Sequence, residues 1–322
     1  MDTARSPQAL NPEPFHRGEI DAQERAGVRA QMERVGAVVL RNYMPDQHRE
    51  LFNKLPTLLL GGADANAQVW ASIIWGKPGF IASPDATTLR VGARLDDDDP
   101  LAAMVKPGAG FGALGLEFDT RRRNRANGIV TQVDELGFTF SVQQSFGNCP
   151  KYIQTRNLAT REPGGRDARL VSGTGALPPD AVALVRRSDT FFIATMADAS
   201  AGKAHGADVS HRGGKPGFVN VGTEGELIWP DFVGNNFFNT IGNILADGRA
   251  GLLFIDFEYG DLLQVTGNAS VLWDEEEVSR FEGARRLLRF QPERYVLRKN
   301  AFPLRWVLRE QSPYLEPTGM WN

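Results

Sequence analysis

The pentapeptide Gly-Lys-Pro-Gly-Phe occurs twice, at 76–80 and again at 214–218, in a chain of 322 residues. Two Gly and one Pro in five residues specify a tight turn, because Pro fixes φ and Gly accepts positive φ. The match runs beyond the turn. At the same offset of 138, Ser72 falls on Ser210, Phe80 on Phe218 and Ile81 on Val219. At an offset of 139, LEFDTRRRNRANG (116–128) falls on IDFEYGDLLQVTG (255–267), pairing Phe118 with Phe257 and Gly128 with Gly267. One matching turn is compatible with chance; turns and strands matching at a near-constant offset are not. The fold must therefore be one that a single chain makes twice.

The elements between the turns say what is doubled. From residue 69 the first copy reads as short strands punctuated by Gly, Pro and Asp: VWASIIW, FIAS, TTLRVG, FGALGLEF, NGIVTQV and FTFSVQQSF. The second copy returns to that texture with TFFIATMAD, GFVNV, ELIWPDF, AGLLFIDF and DLLQVTGNASVL, and the chain ends in the extended RYVLRKNAFPLRWVLRE. Several short antiparallel strands favour closure into a barrel, which removes exposed edges. The expected fold is mainly β with accessory helices, built as two tandem antiparallel barrels. Residues 1–18 read as an irregular arm and 21–36 as one helix, with Asp21 as N-cap and Gly36 as its stop. A β-rich run at 37–43 and a short helix at 45–56 follow. Residues 274–290 read as a helix with Asp274 and Glu277 as a capping box. The domains expected are 1–156, 157–180 as a linker poor in apolar periodicity, and 181–322.

Composition narrows the function classes. A net charge of −3 gives no general reason to expect nucleic acid or an anionic membrane as partner. The single Cys149 excludes an intrachain disulfide and fits a reducing compartment, so a cytoplasmic protein is expected. No apolar run approaches the roughly 18 residues of a membrane span. Four scattered His and one Cys show no metal-ligand spacing, and no Gly-x-Gly-x-x-Gly fingerprint sits between a strand and a helix.

The two copies differ where chemistry would sit. Ile73, Ile74 and Trp75 of the first stand opposite His211, Arg212 and Gly213 of the second. A strand ending in Ser210-His211-Arg212 with flexible Gly beyond it presents a hydroxyl, an imidazole and a guanidinium, donors suited to a phosphate dianion. A polar hairpin end is the plainer alternative. The second copy also carries GNNFFNTIGNILADG (234–248), whose Asn235, Asn239 and Asn243 recur every four residues. Asn is a mediocre helix former, so the stripe suggests amides kept for hydrogen bonding near a helix start that favours anions; an Asn-rich surface is the alternative. The first copy has LDDDDPLAAMVKPGAG there, read as a solvated acidic loop. One copy is thus phosphate-ready and the other degenerate. The RRRNR run (121–125) is placed to meet either the ligand or that acidic loop.

At SHRGGKPGFVNV (210–221), GNNFFNTIGNILADGRAGLLFIDF (234–257), LLQVTGNASVL (262–272) and FGNCPKYIQ (146–154), the chain resembles the pyridoxamine 5'-phosphate oxidase-like family of FMN-binding split barrels. The resemblance implies two tandem split β-barrels side by side, forming a pseudo-dimer within one chain, with FMN in the groove between them and one retained flavin site. It implies phosphate contacts from Ser210, His211, Arg212, Asn235, Asn239 and Thr240, with Asn243 on the same stripe. Gln144 and Lys151, from the first copy's closing strand, would approach the groove from the other side. Many relatives carry Arg or Lys where this chain has Asn239 and Thr240, which leaves Arg212 as the main charge. The family's substrate-phosphate residues are not found in the C-terminal tail, which argues against true pyridoxamine phosphate oxidation. His205, Cys149, Trp229 and Phe232 are further candidates to border the ring, each equally explained by packing or a loop position. The implied function is a flavin-dependent oxidoreductase of unknown small-molecule substrate and electron donor. A non-catalytic flavin binder or sensor, a barrel using deazaflavin or haem, and a cofactor-free scaffold stay open, as does a further homodimer.

Overall fold

The computed structural model describes residues 14–161, 169–197 and 206–321. The first half opens with helices α1 (Arg17–Arg25), α2 (Arg29–Val39) and α3 (Asp46–Lys54). Strands β1 (Thr57–Ala63), β2 (Val69–Trp75), β3 (Ile81–Asp85), β4 (Thr88–Val91), β5 (Gly110–Glu117), β6 (Arg122–Asp134) and β7 (Gly137–Gly147) follow. Next come β8 (Thr155–Arg161), β9 (Arg169–Thr174), α4 (Pro179–Arg187), β10 (Thr190–Ala197), β11 (Gly206–Gly213), β12 (Asn220–Val221) and β13 (Leu227–Asp231). The rest is α5 (Asn239–Ala246), β14 (Arg249–Ile255), β15 (Leu262–Leu272), α6 (Glu275–Ser279), β16 (Arg286–Lys299) and β17 (Leu304–Glu310).

The doubling is in the topology. One sheet runs β2-β1-β5-β6-β7-β4-β3 and the other β11-β10-β14-β15-β16-β13-β12, the same order with each strand replaced by its counterpart. The fold is two tandem split barrels forming a pseudo-dimer. Local irregularities are copied too. A bulge lies at Gly128 between β6 and β7 and another at Gly267 between β15 and β16. Both positions require Gly, because a Cβ would strike the Ser141 carbonyl in one half and the Gln291 carbonyl in the other.

Each barrel has its own core, and a third apolar cluster joins them. It draws Leu59, Ile73 and Leu114 from the first half and Phe192, Val209 and Leu253 from the second. The contacts are reciprocal. A Cβ on Gly112 would lie 2.7 Å from the Ala207 carbonyl oxygen, and one on Gly251 2.5 Å from the Val69 carbonyl oxygen. Phe118 and Phe257, matched in sequence, meet edge to face at 5.4 Å. Two equivalent residues touch each other only across a twofold axis, so the halves are related by pseudo-twofold rotation.

Several expectations are corrected. The segment 21–36 is two helices: Gly27 takes φ +69° and breaks it. The first helix starts earlier, at Arg17, where His16 and Glu19 form the capping box, and the second runs through Gly36 to Val39, taking the start of the supposed β run. The β texture begins before residue 69, because TLLLGGA forms β1 and pairs with β2 and β5. The segment 157–180 is not a bare linker: β8 pairs with β17 and β9 with β16. The helix at 274–290 is five residues long, because after Gly283 the residues Arg286–Phe290 pair with β13 and β15. Asp274 caps it, but Glu277 turns to Arg289. The acidic loop is only partly solvated, because Asp99 is buried.

Candidate functional site

β11 is an edge strand of its sheet, yet its face is covered by β5 and β6 of the other half. Alternation along β6 puts Arg123 and Arg125 on one face, and that face is turned to β11. Arg125 is buried between the halves. Its Nε lies 2.9 Å from Asp208 Oδ1 and donates to the Val209 carbonyl at 3.2 Å. Its Nη1 donates to Asn148 Oδ1 (2.7 Å) and Asn239 Oδ1 (3.2 Å), and its Nη2 to Ser210 Oγ. Arg123 donates through Nε to the Cys149 carbonyl at 2.9 Å.

The second wall is α5 and the loop before it. Asn236 and Phe238 both adopt left-handed backbone, with φ of 61° and 63°, and no side chain caps the first turn of α5. Its leading amides are therefore left for an external acceptor. Thr240 Oγ1 donates to Ser210 Oγ at 3.0 Å, tying the helix start to β11. Arg286 closes the far side, 3.0 Å from Asp231 Oδ2 and 4.7 Å from the Phe238 ring centre. Together these enclose a cleft of about 80 Å³ at the junction of the halves.

The cleft is cationic. Arg123, Arg125, Arg212 and Arg286 line it against one lining carboxylate, Asp231, which Arg212 and Arg286 share at 3.4 and 3.0 Å. Burial and the neighbouring Arg125 and Arg212 push the Arg123 guanidinium down to about 9. Burial and nearby arginines hold the His211 imidazole well below its ordinary value, so it is neutral. Three buried polar nitrogens lining the cleft have no hydrogen-bond partner among the described residues: the donors Arg212 Nε and Asn148 Nδ2, and His211 Nε2, whose role follows the tautomer of the neutral ring. Such groups are costly unless a partner meets them. The donor set fits a phosphate group, and the cleft's present volume matches one better than it matches a whole flavin ring system.

Of the residues singled out in the sequence, Ser210, His211, Arg212, Asn235, Asn239 and Thr240 line this cleft. The predicted stripe is divided, however. Asn235 precedes the helix and accepts from the Phe237 amide. Asn243 points the other way, its Oδ1 accepting from His16 Nε2 at 2.8 Å and its Nδ2 donating to Thr195 Oγ1 at 3.0 Å. Gln144 and Lys151 lie outside the cleft: Gln144 accepts from Asn127, and Lys151 stands 5.1 Å from the Tyr314 ring. Phe232 borders the cleft, while Trp229 is buried in the second barrel's core. Cys149 is a free, half-buried thiol beside Arg123. His205 lies outside the described residues.

The sequence places the RRRNR run (121–125) to meet the ligand or the acidic loop without singling out Arg125, and it does not single out Asn148, Arg286 or Glu19 at all. Arg125 is signalled only by the alternation of the RRRNR run, once its strand is known. Asn148 follows β7, beside Cys149. Glu19 comes from the N-terminal helix: Gly18 packs against Gly242 so closely that neither tolerates a Cβ. That contact brings Glu19 to Asn239, whose Nδ2 donates to Glu19 Oε1 at 2.5 Å. Burial pushes the Glu19 carboxyl up to about 8.

Among the described residues no helix is long and apolar enough to cross a membrane. Residues 177–299 match the family model described as pyridoxamine 5'-phosphate oxidase. Among solved structures the chain is similar to the FAD binding protein from Mycobacterium smegmatis, at 16% identity, covering 40% of this chain and 100% of that one with a TM-score of 0.29. It is also similar to HutZ, the heme storage protein from Vibrio cholerae, at 16% identity, 38% and 95% coverage and a TM-score of 0.27. A Clostridium acetobutylicum protein related to general stress protein 26 matches at 11% identity, 41% and 92% coverage and a TM-score of 0.28. A comparison with curated proteins returns no match.

Proposed function

We propose, from the premise that this chain is a pyridoxamine 5'-phosphate oxidase-like split-barrel protein carrying the family's domain at 177–299, that it binds one FMN at the junction of its halves and serves as a flavin-dependent oxidoreductase. The observation that carries the reading is the cleft with four arginines, one lining carboxylate and three unpartnered buried nitrogens. Ser210, Arg212, Thr240 and the leading amides of α5 would hold the phosphate, with Arg123 and Arg125 supplying charge from the other half. Charge-assisted hydrogen bonds of this kind contribute about 1.5–3 kcal/mol each. A bound isoalloxazine supplies the redox chemistry, accepting and donating a hydride equivalent. The chain's own residues anchor, orient and exclude water; neutral His211 donates or accepts without carrying charge.

The test is an absorbance scan of purified protein before and after incubation with FMN and removal of the excess. A two-band flavin spectrum at about one FMN per chain, bleached by NADH or NADPH, supports the reading. Retained flavin without reduction by either donor favours a flavin-binding protein without that activity. A colourless product, a haem Soret band, or uptake of a deazaflavin in preference to FMN overturns it.

A further inference from the structure

The acidic run 96–99 holds one carboxylate unlike its neighbours. Asp96, Asp97 and Asp98 are at the surface, whereas the Asp99 side chain has 0% exposure. Its surroundings repeat those of the cationic cleft under the pseudo-twofold. Ser72 corresponds to Ser210 and Gln264 to Arg125, at the offsets found in the sequence. Arg298 corresponds to Asn148: Arg298 pairs with Leu262, and the Asn148 amide donates to the carbonyl of Arg123, the counterpart of Leu262.

Two contacts recur on equivalent acceptors. Arg125 donates to the Val209 carbonyl and to Ser210 Oγ. Gln264 Nε2 donates to the Ala71 carbonyl at 3.1 Å and to Ser72 Oγ at 2.9 Å. Where the C-terminal cleft is open, the N-terminal one is filled by Asp99. Its Oδ1 accepts from Ser72 Oγ (2.7 Å) and the Leu101 amide (2.9 Å). Its Oδ2 accepts from Gln264 Nε2 (3.1 Å) and Arg298 Nη2 (2.9 Å). Four donors from β2, β15, β16 and the loop itself converge on one buried carboxylate. An ion pair needs one of them; this is the coordination given to a bound oxyanion. Asp96, 3.2 Å from Arg298 Nη1, fastens the loop from outside.

We propose that the N-terminal cleft is a second oxyanion site whose occupant is the chain's own Asp99, a ligand tethered by the loop 95–101. Removing that side chain would let the site take a free phosphate, sulfate or small carboxylate. The inference stands on Ser72, Gln264, Arg298 and Asp99 alone and does not depend on which ligand the other cleft takes.

The experiment compares wild type, Asp99→Ala and the exposed control Asp97→Ala by thermal unfolding in chloride, acetate and inorganic phosphate at matched ionic strength. Asp99→Ala should melt about 5–10 °C below wild type in chloride and recover at least half of the loss in acetate or phosphate. Asp97→Ala should track the wild type. Equilibrium dialysis should find one more phosphate per chain in Asp99→Ala than in wild type, and Arg298→Gln added to Asp99→Ala should abolish both effects. An anion response no larger than that of wild type, or an unchanged stoichiometry, overturns the proposal. If Asp99→Ala is insoluble, its refolding yield from urea reads the same property: a yield raised by acetate supports the site and equal yields refute it.

Discussion

The two clefts are one design at two stages. Each takes a serine from an edge strand and a donor from the neighbouring half, which reaches across to a main-chain carbonyl and to that serine. In the C-terminal cleft the donor is a charged Arg125, the companion is Asn148, and cations outnumber carboxylates. In the N-terminal cleft the donor is neutral Gln264, the cation has moved to Arg298, and Asp99 balances it. The difference teaches that losing a site in a packed fold is a matter of filling it. An emptied cleft would leave the Ser72 hydroxyl and Arg298 Nη2 buried without the acceptor that Asp99 provides, which costs more than either hydrogen bond contributes.

The sharpest way to break the comparison is to give one cleft the other's donor. Arg125→Gln should weaken FMN binding by more than about 100-fold and destabilise the fold by about 3 kcal/mol, because Asp208 loses its partner while staying buried; flavin fluorescence titration and urea unfolding read the two effects. Arg212→Ala removes a charge from the ligand side only, since Arg286 remains on Asp231. Its FMN affinity should fall more than about tenfold with little change in stability, and an unchanged Kd would remove Arg212 from the phosphate contacts.

A third effect belongs to the C-terminal cleft alone. Glu19 has its folded pKa raised to about 8 by burial, so its neutral form suits the folded state. That contribution is whole below the unfolded value near 4.3 and is lost as pH rises toward and through 8. Between pH 7 and 8, above the histidine range, wild-type stability should fall by up to about 1 kcal/mol. Glu19→Gln should flatten that slope; parallel pH profiles would show that Glu19 is ionised throughout. The smallest effect is expected from Lys151→Ala and Gln144→Ala. Both lie outside the cleft, and FMN affinity should change less than about twofold; a tenfold loss in either would extend the site toward β7.

Much of this was legible in the sequence, for reasons that also mark where reading stops. Strand alternation, the repeated turn and the Gly128–Gly267 match are local, and they carried the doubled barrel. Ser210, His211 and Arg212 stood out because they replace apolar residues of the other copy. Arg125 and Asp99 did not, because their meaning lies in partners 85 and 199 residues away, which only the pseudo-twofold brings together. The Asn235–Asn239–Asn243 spacing misled in an instructive way. It assumed one continuous helix, whereas left-handed Asn236 and Phe238 end the periodicity and leave Asn243 to hold His16.

The crossing of Arg125 into the other half's cleft has a consequence for inheritance. In a dimer of two identical chains, each substitution is written into both sites at once, so a carboxylate that plugs one plugs the other. With both halves on one polypeptide, the codon for Asp99 is free to change without touching its counterpart. The same link means that no half can be handed on alone: a gene cut between 161 and 169 would send Arg125 and Ser210 to different descendants, each with half of the wall it needs.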